Sequence, residues 1–477
     1  MRPAATPRPE ESMDLSPFTS RFGSDEMRAV WSEAARRRTW RRIWLAVAEV
    51  QASAGLITTP QVEDLRAHVD TIDLARSAEL EAAGIEDVMA ERQVYAGQCP
   101  IGGSVLHWGL TSADVMDNAD VARQRAAMGL LLGRLRAVLL AFAARIDATA
   151  EVIVLGYAHL QPAEPTTLGY RLAVCAQDLL GHFEALARLR VQLRGKGMRG
   201  AVGTGAPFIE LLQGTGVTFE TFEASVLNAL GIESHPVASQ TYPRVQDYEL
   251  LSALAALAAS LHKFAFELQL MQSPGLGRIA SDPSGDTATA SMAATYECSP
   301  VKAEEACLLA RLVASLPGAA WHNAADALLE RALDDSANWR SSIPVAFLAA
   351  EQMLILSEGI VTGLQVDEAQ AAALLDAHGP FAAAERIASA LMRAGAEREQ
   401  VRDRLRQHLV TAREAVRGGR PNPLLNQLTT DTVLLRYVQP SRMRELLDMR
   451  SYVGQAPDRA RALARALRQR LGAADSA

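Results

Sequence analysis

Proline excludes itself from helix interiors because its ring removes one N–H donor and clashes with the preceding turn. The gaps between prolines therefore bound the longest helices a chain can form. No proline falls between Asp117 and Gln161, Thr166 and Ala206, Arg244 and Ser273, Val301 and Leu316, or Gly318 and Ile343. A helix of about 30 residues runs about 45 Å, so these gaps predict an elongated bundle. Hydrophobic residues make up 49% of the chain but aromatics only 5%, a balance that favours packed helices over sheet. The predicted fold class is all-α.

Apolar residues at three- and four-residue intervals extend this reading. Met27, Val30, Trp31, Trp40, Ile43, Trp44, Val47 and Val50 predict a helix from Asp25 to about Ile57, and a shorter one follows from Pro60 to His68. Leu250, Leu254, Leu257, Leu261, Phe264 and Leu268 mark a helix within Arg244 to Met271. After about Gln365 the helices shorten, punctuated by Gly379-Pro380, Gly418-Gly419, Pro421 and Pro423. The expected division is a disordered leader over 1–17, an N-terminal helical domain over 18–111, a central long-helix domain over 112–364 and a C-terminal helical domain over 365–477.

A formal net charge of −7 supplies no overall field for nucleic acid or anionic membrane. The exception is the run Arg36 to Arg42, read as a solvated or interface helix face. Cys99, Cys175, Cys298 and Cys307 have no metal-ligand spacing and no secretory signal before them, so reduced thiols in a cytoplasm are expected, with no metal and no cofactor. The apolar run from Leu250 to Leu261 is too short for a span of ~20 residues, and no membrane segment is expected.

Polar, backbone-permissive junctions interrupt the long helices. Thr111 and Asp114 have capping-box-like spacing, which puts free N–H groups near Thr111 and Ser112, where carboxylates and phosphates bind. His107 precedes that start, and His159 lies in a proline-broken connection. The stretch from Ala280 to Glu305 is small, hydroxylated and turn-rich, which predicts a lid.

The segments LHWGLTSADVMDNAD, AHLQPAEPTTLGYR, RGAVGT, SQTYPR and ERALDDSANWR, in that order, resemble the adenylosuccinate lyase family of the fumarase/aspartase superfamily. The resemblance implies a three-domain, mainly helical subunit in a homotetramer, with active sites shared between subunits. It implies a dicarboxylate substrate from which fumarate is eliminated. His159 would then be the acid, with His107 near the leaving group. Thr111 and Ser112 would bind carboxylate, and Arg21, Gln240, Arg244, Lys302, Ser336 and Arg340 would contact substrate.

Departures are concentrated in the lid. The family signature is close to GSSxMPxKxNP, with the second serine as base. Counting back from Ser299-Pro300 puts Glu297 at the lysine and Met292 at the base, whereas one inserted residue makes Ser291 the base. Arg199 or Lys302 is the candidate replacement cation. Cys298 as a reactive thiol and Tyr296 as acid or base are minor alternatives. Glu86 stands where a phosphate-contacting histidine is expected, and Phe22 replaces a tyrosine. These changes argue against a purine nucleotide. The expected function is β-elimination from another N-substituted succinate or an aspartate-derived substrate; nitrosuccinate cleavage, a carboxymuconate-type cycloisomerase and a non-catalytic scaffold are the alternatives.

Overall fold

The computed structural model describes residues 17–273, 276, 279–280, 300–331 and 335–472. The chain is all-α, with long helices over Ser112–Ala148, Leu168–Gln192, Val245–Met271, Val301–Ala325 and Ser336–Thr362. Most of the leader and of the predicted lid, including Ser291, Tyr296, Glu297 and Cys298, lies outside the described residues. Shorter helices and three two-stranded pairings complete the secondary structure described.

The proline gaps bound the first three long helices well and fail at the last two. Pro317 lies inside Val301–Ala325 and Pro344 inside Ser336–Thr362. An interior proline costs about 3 kcal/mol, and burial of Ala310, Val313 and Ala320 around the first, and of Ile343, Ala346 and Phe347 around the second, opposes that loss. The helix predicted over Asp25 to Ile57 is likewise two, Asp25–Trp31 and Glu33–Ser53, because the Ser32 side chain accepts from the Ala35 N–H and starts a new helix.

The residues gather into two compact units. The first comprises Met1–Leu135, His182–Ala259 and Leu308–Ile355. Its main core joins Trp40, Ile43, Trp44 and Val47 of Glu33–Ser53 to Leu65, Tyr95, Val115, Phe208 and Phe222. The basic run, expected to be a solvated or interface face, is solvated only in part: Arg42 is exposed, but Arg37 and Arg41 turn inward. Arg41 is fully buried, with Nε donating to Glu91 at 2.6 Å and Nη1 to the carbonyls of His68 and Thr71. Arg37 is also buried and pairs with Glu91. The hidden glutamate, 50 residues on, requires those arginines inside.

The second unit comprises Arg136–Gly181, Ser260–Cys307 and Leu356–Ala477. A hairpin of Ile153–Ala158 and Gln161–Thr167 packs on Glu368–Ala382. Its Leu155 joins a core with Leu375, Ile387, Leu391, Leu405 and Met443. The expectation of no membrane segment requires correction on length and composition, since Ser112–Ala148, Val245–Met271 and Ala337–Thr362 are each long and apolar enough to cross a bilayer. Each also buries charge: Asp114, Asp117 and Asp120 in the first, Asp247 in the second, Glu351 in the third. Such groups are expensive in lipid; here Lys196 meets Asp114, while the Ser24 N–H and hydroxyl meet Glu351.

Candidate active site

In the first unit the chain enters Ser112–Ala148 through a tight turn. His107 and Gly109 both have positive φ, 77° and 76°, and a Cβ on Gly109 would meet the Phe208 ring at 3.0 Å. The turn presents His107 Nδ1 to the Trp44 indole, whose Nε1 donates to it at 3.1 Å. Indole nitrogen only donates, so Nδ1 is the unprotonated nitrogen and the neutral ring carries its proton on Nε2. Burial, reinforced by nearby Arg92, lowers the His107 pKa to about 4. At neutral pH His107 is therefore an uncharged N–H donor.

That assignment sets a pH dependence. A histidine whose folded pKa lies below its unfolded value of 6.5 is fully stabilising above that value, and the contribution is lost as pH falls from about 6.5 to about 4. The urea midpoint should decline over that window in the native protein, and His107→Gln should flatten the decline. An identical acid limb in the variant would mean that His107 is not buried neutral.

The helix start is organised by Asp114. Its Oδ2 accepts from the Thr111 N–H at 2.9 Å, the predicted cap interaction. Its Oδ1 accepts from Lys196 Nζ at 2.6 Å and from the Arg199 N–H at 3.0 Å. Lys196 and Asp114 are both completely buried. Asp114 thus locks the 197–205 loop to the helix N-terminus. Arg199, considered as a replacement cation, is buried and grips both Glu223 oxygens, at 2.9 and 3.2 Å.

Beside this start, the Ser112 hydroxyl donates to Glu86 at 3.0 Å. The next residue, Asp87, pairs with Arg340 at 2.7 Å. Arg340 also stacks over Trp339. The TSADV, GIEDVM and SANWR segments thereby meet in one place. A second meeting point is a cavity of about 220 Å³ whose lining includes Ser239, Thr241, Arg244, Asn323, Asp335 and Asn338. Gln240 donates to the Ala201 carbonyl at 3.0 Å. Arg244 is buried between the Tyr242 and Trp339 rings and donates to Asp335 at 2.6 Å and Asp117 at 3.2 Å. Although burial opposes its charge, those carboxylates hold its pKa well above the ordinary arginine value. Ser336 begins the Ser336–Thr362 helix, and Arg21 is exposed with its guanidinium over Phe22.

His159 and Lys302 belong to the second unit. Ala158 pairs with Gln161, so His159 and Leu160 form a two-residue turn, with φ of 53° and 57°. Such turns normally take Asn or Gly, and their absence hid the hairpin from sequence reading. His159 stands exposed at the tip, and Lys302 is exposed at the start of Val301–Ala325.

Asp64, His68 and Cys99 bring potential ligand atoms within 4.8 Å of one another. Both backbone N–H groups of Ile101 and Gly102 already occupy Asp64 Oδ2. Burial, with Asp64 adding to it, pushes the Cys99 thiol up to about 12. The trio is a satisfied loop anchor.

A family model described as lyase matches residues 23–286. Adenylosuccinate lyase from Saccharomyces cerevisiae is 32% identical over 458 residues, covering 94% of this chain and 93% of that protein. The enzyme of that name from Schistosoma mansoni is 33% identical, covering 92% of each. Among solved structures, a fumarate lyase from Mesorhizobium sp. BNC1 aligns with a TM-score of 0.80 and 24% identity over 93% of this chain and 98% of that one. The 3-carboxy-cis,cis-muconate lactonizing enzyme from Pseudomonas putida aligns with a TM-score of 0.83 and 22% identity, covering 95% and 99%. The solved structures share the fold and the sequence relatives share the family: this chain belongs to the lyase family, as an adenylosuccinate lyase-like carbon–nitrogen lyase of the fumarase/aspartase superfamily.

Proposed function

We propose that the protein eliminates fumarate from an N-substituted succinate, or another aspartate-derived substrate, that is not a purine nucleotide. A base takes a proton from the carbon beside one carboxylate. The bond from the adjacent carbon to nitrogen then breaks, its electron pair leaves on nitrogen, and an acid protonates the departing amine. The observation that carries this reading is the neutral His107, protonated on Nε2, held at the N-terminus of Ser112–Ala148. A helix start suits a carboxylate that gains negative charge in the transition state, and the neutral N–H donor beside it suits the departing nitrogen group.

In this reading His159 is the acid and Ser291 the base, and Thr111 and Ser112 hold substrate carboxylate. Arg21, Gln240, Lys302, Ser336 and Arg340 contact the rest of the substrate, with Arg244 at the wall of its cavity. The exposed hairpin tip suits a residue delivered to another subunit's site. Exposed Phe266, Leu270, Val301, Leu308 and Trp321 suit helices covered in a homotetramer. A cytoplasmic location completes the proposal.

The test is incubation with a panel of N-succinyl amines and nitrosuccinate, following fumarate by its absorbance. Release of fumarate with stoichiometric amine, or with nitrite from nitrosuccinate, is the expected result. A folded tetramer that turns over none of the panel would sink the reading, and a lactone formed instead from added 3-carboxy-cis,cis-muconate would replace it by cyclisation.

A further inference from the structure

A cavity of about 110 Å³ lies within the first unit, walled by the Asp25–Trp31, Glu33–Ser53, Ser112–Ala148 and Ser336–Thr362 helices. Arg340 reaches its lining, but Thr111 and Ser112 do not. Five of the lining residues each carry a buried N–H that has no partner among the described residues: the indoles of Trp31, Trp40 and Trp339, and Nε of Arg36 and of Arg340. Only Gln124 Oε1 stands on the acceptor side of that count, its amide nitrogen being already turned to Asp247 at 3.4 Å. Indole and guanidinium nitrogens donate and never accept, and buried polar groups are rarely left unpaired. The wall therefore suits a guest made mostly of acceptors.

Net charge does not choose the guest. Arg36 pairs with Glu33 at 2.8 Å, Arg36 and Arg340 share Asp87 at 3.4 and 2.7 Å, and Arg123 meets Asp120 at 3.4 Å. Arg37 is drawn to Glu33, Glu81 and Glu91. These pairs nearly cancel as a set, which leaves the surplus of hydrogen-bond donors to decide. Asp120 is the adjustable member: burial, with Asp117 adding to it and Arg123, Arg36 and Arg244 opposing, raises its pKa to about 7. We propose that this cavity binds a small carboxylate, whose oxygens accept from the indole and guanidinium N–H groups. Its volume equals that of about three or four waters at about 30 Å³ each, enough for a two-carbon acid and too little for a whole succinyl amine. The guest is a ligand in its own right, distinct from the reacting carboxylate placed at Thr111 and Ser112, and the site does not depend on which reaction the protein catalyses.

Acetate, its neutral isostere acetamide and methylammonium are the probes, titrated into the full-length protein at pH 8 and constant ionic strength. Tryptophan fluorescence is the readout, since three of the six tryptophans line the cavity. Acetate should shift the emission saturably and bind about tenfold or more tighter than acetamide, as expected for hydrogen bonds to a charged group. Methylammonium should give no saturable change. Trp31→Phe keeps an aromatic ring but removes one donor, and should weaken acetate about three- to tenfold. Asp120→Asn removes a negative charge from the wall and should tighten acetate about threefold or more. Acetamide matching acetate would mean that water alone fills the cavity and would overturn the inference, as would an acetate affinity unchanged in both variants. A loss in Thr111→Ala as large as that in Trp31→Phe would also overturn it, by moving the ligand to the helix start. Urea midpoints show which variants fold, and Trp339→Phe, which removes another of the donors, replaces Trp31→Phe if that protein does not.

Discussion

Replacing His159 by glutamine should lower fumarate release by about 10²- to 10⁴-fold, the usual contribution of a positioned proton donor. The urea midpoint should stay where it is, because the side chain stands exposed at a hairpin tip and has no partner among the described residues. The two effects together are the diagnostic. A structural residue would lose stability along with rate, whereas an acid loses rate alone. The loss should also be largest for substrates with poorly acidic amines, since those depend most on protonation as the C–N bond breaks. Unchanged turnover in a folded His159→Gln protein would place the acid elsewhere.

The second large effect concerns stability. Lys196→Met removes the cation from a pair in which both side chains are fully buried. The Asp114 carboxylate would keep its N–H donors from Thr111, Arg199 and Gly200 but lose its charge partner. Leaving one member of such a pair uncompensated costs about 3–5 kcal/mol. Urea unfolding reads this directly, and a loss below about 1 kcal/mol would show that the pair matters little. A double-mutant cycle with Asp114→Asn divides the effect, because asparagine retains an acceptor oxygen for the backbone while removing the charge. The coupling should exceed that of an exposed pair such as Arg76–Glu79, for which ~0–1 kcal/mol is typical. Because Asp114 ties the 197–205 loop to the helix start, Lys196→Met should also weaken binding of a dicarboxylate.

Much of the framework was legible because it is local. The gaps around Asp117–Gln161 and Arg244–Ser273 forbid nothing that a helix needs, and the apolar spacing of Leu250, Leu254, Leu257 and Leu261 supplies a face to bury. Thr111 and Asp114 announced a cap that the structure contains. What local reasoning missed has a common cause. Pro317 and Pro344 sit inside helices because packing around them opposes the lost bond, and packing is not written in the neighbouring residues. Arg37 and Arg41 read as a solvated face because Glu91, which draws them inside, is distant in sequence. The His159 hairpin escaped because its turn lacks the residues that normally tolerate positive φ.

The site divides along the same line. Sequence by itself determined which chemical groups are available: two histidines, a hydroxylated helix start, a basic residue in SANWR, and an acid at position 86. These follow from residue identity and from motifs carried by contiguous segments. Only the tertiary structure decided their states. The Trp44 indole, 63 residues from His107, leaves that ring's proton on Nε2 while burial keeps it neutral. Arg340 and Arg36 share Asp87 and Lys196 meets Asp114, whereas among the described residues the side-chain partner of Glu86 is the Ser112 hydroxyl. Protonation and net charge depend on which groups lie within a few ångströms and how much water is excluded, and folding sets both through contacts between segments far apart in the chain.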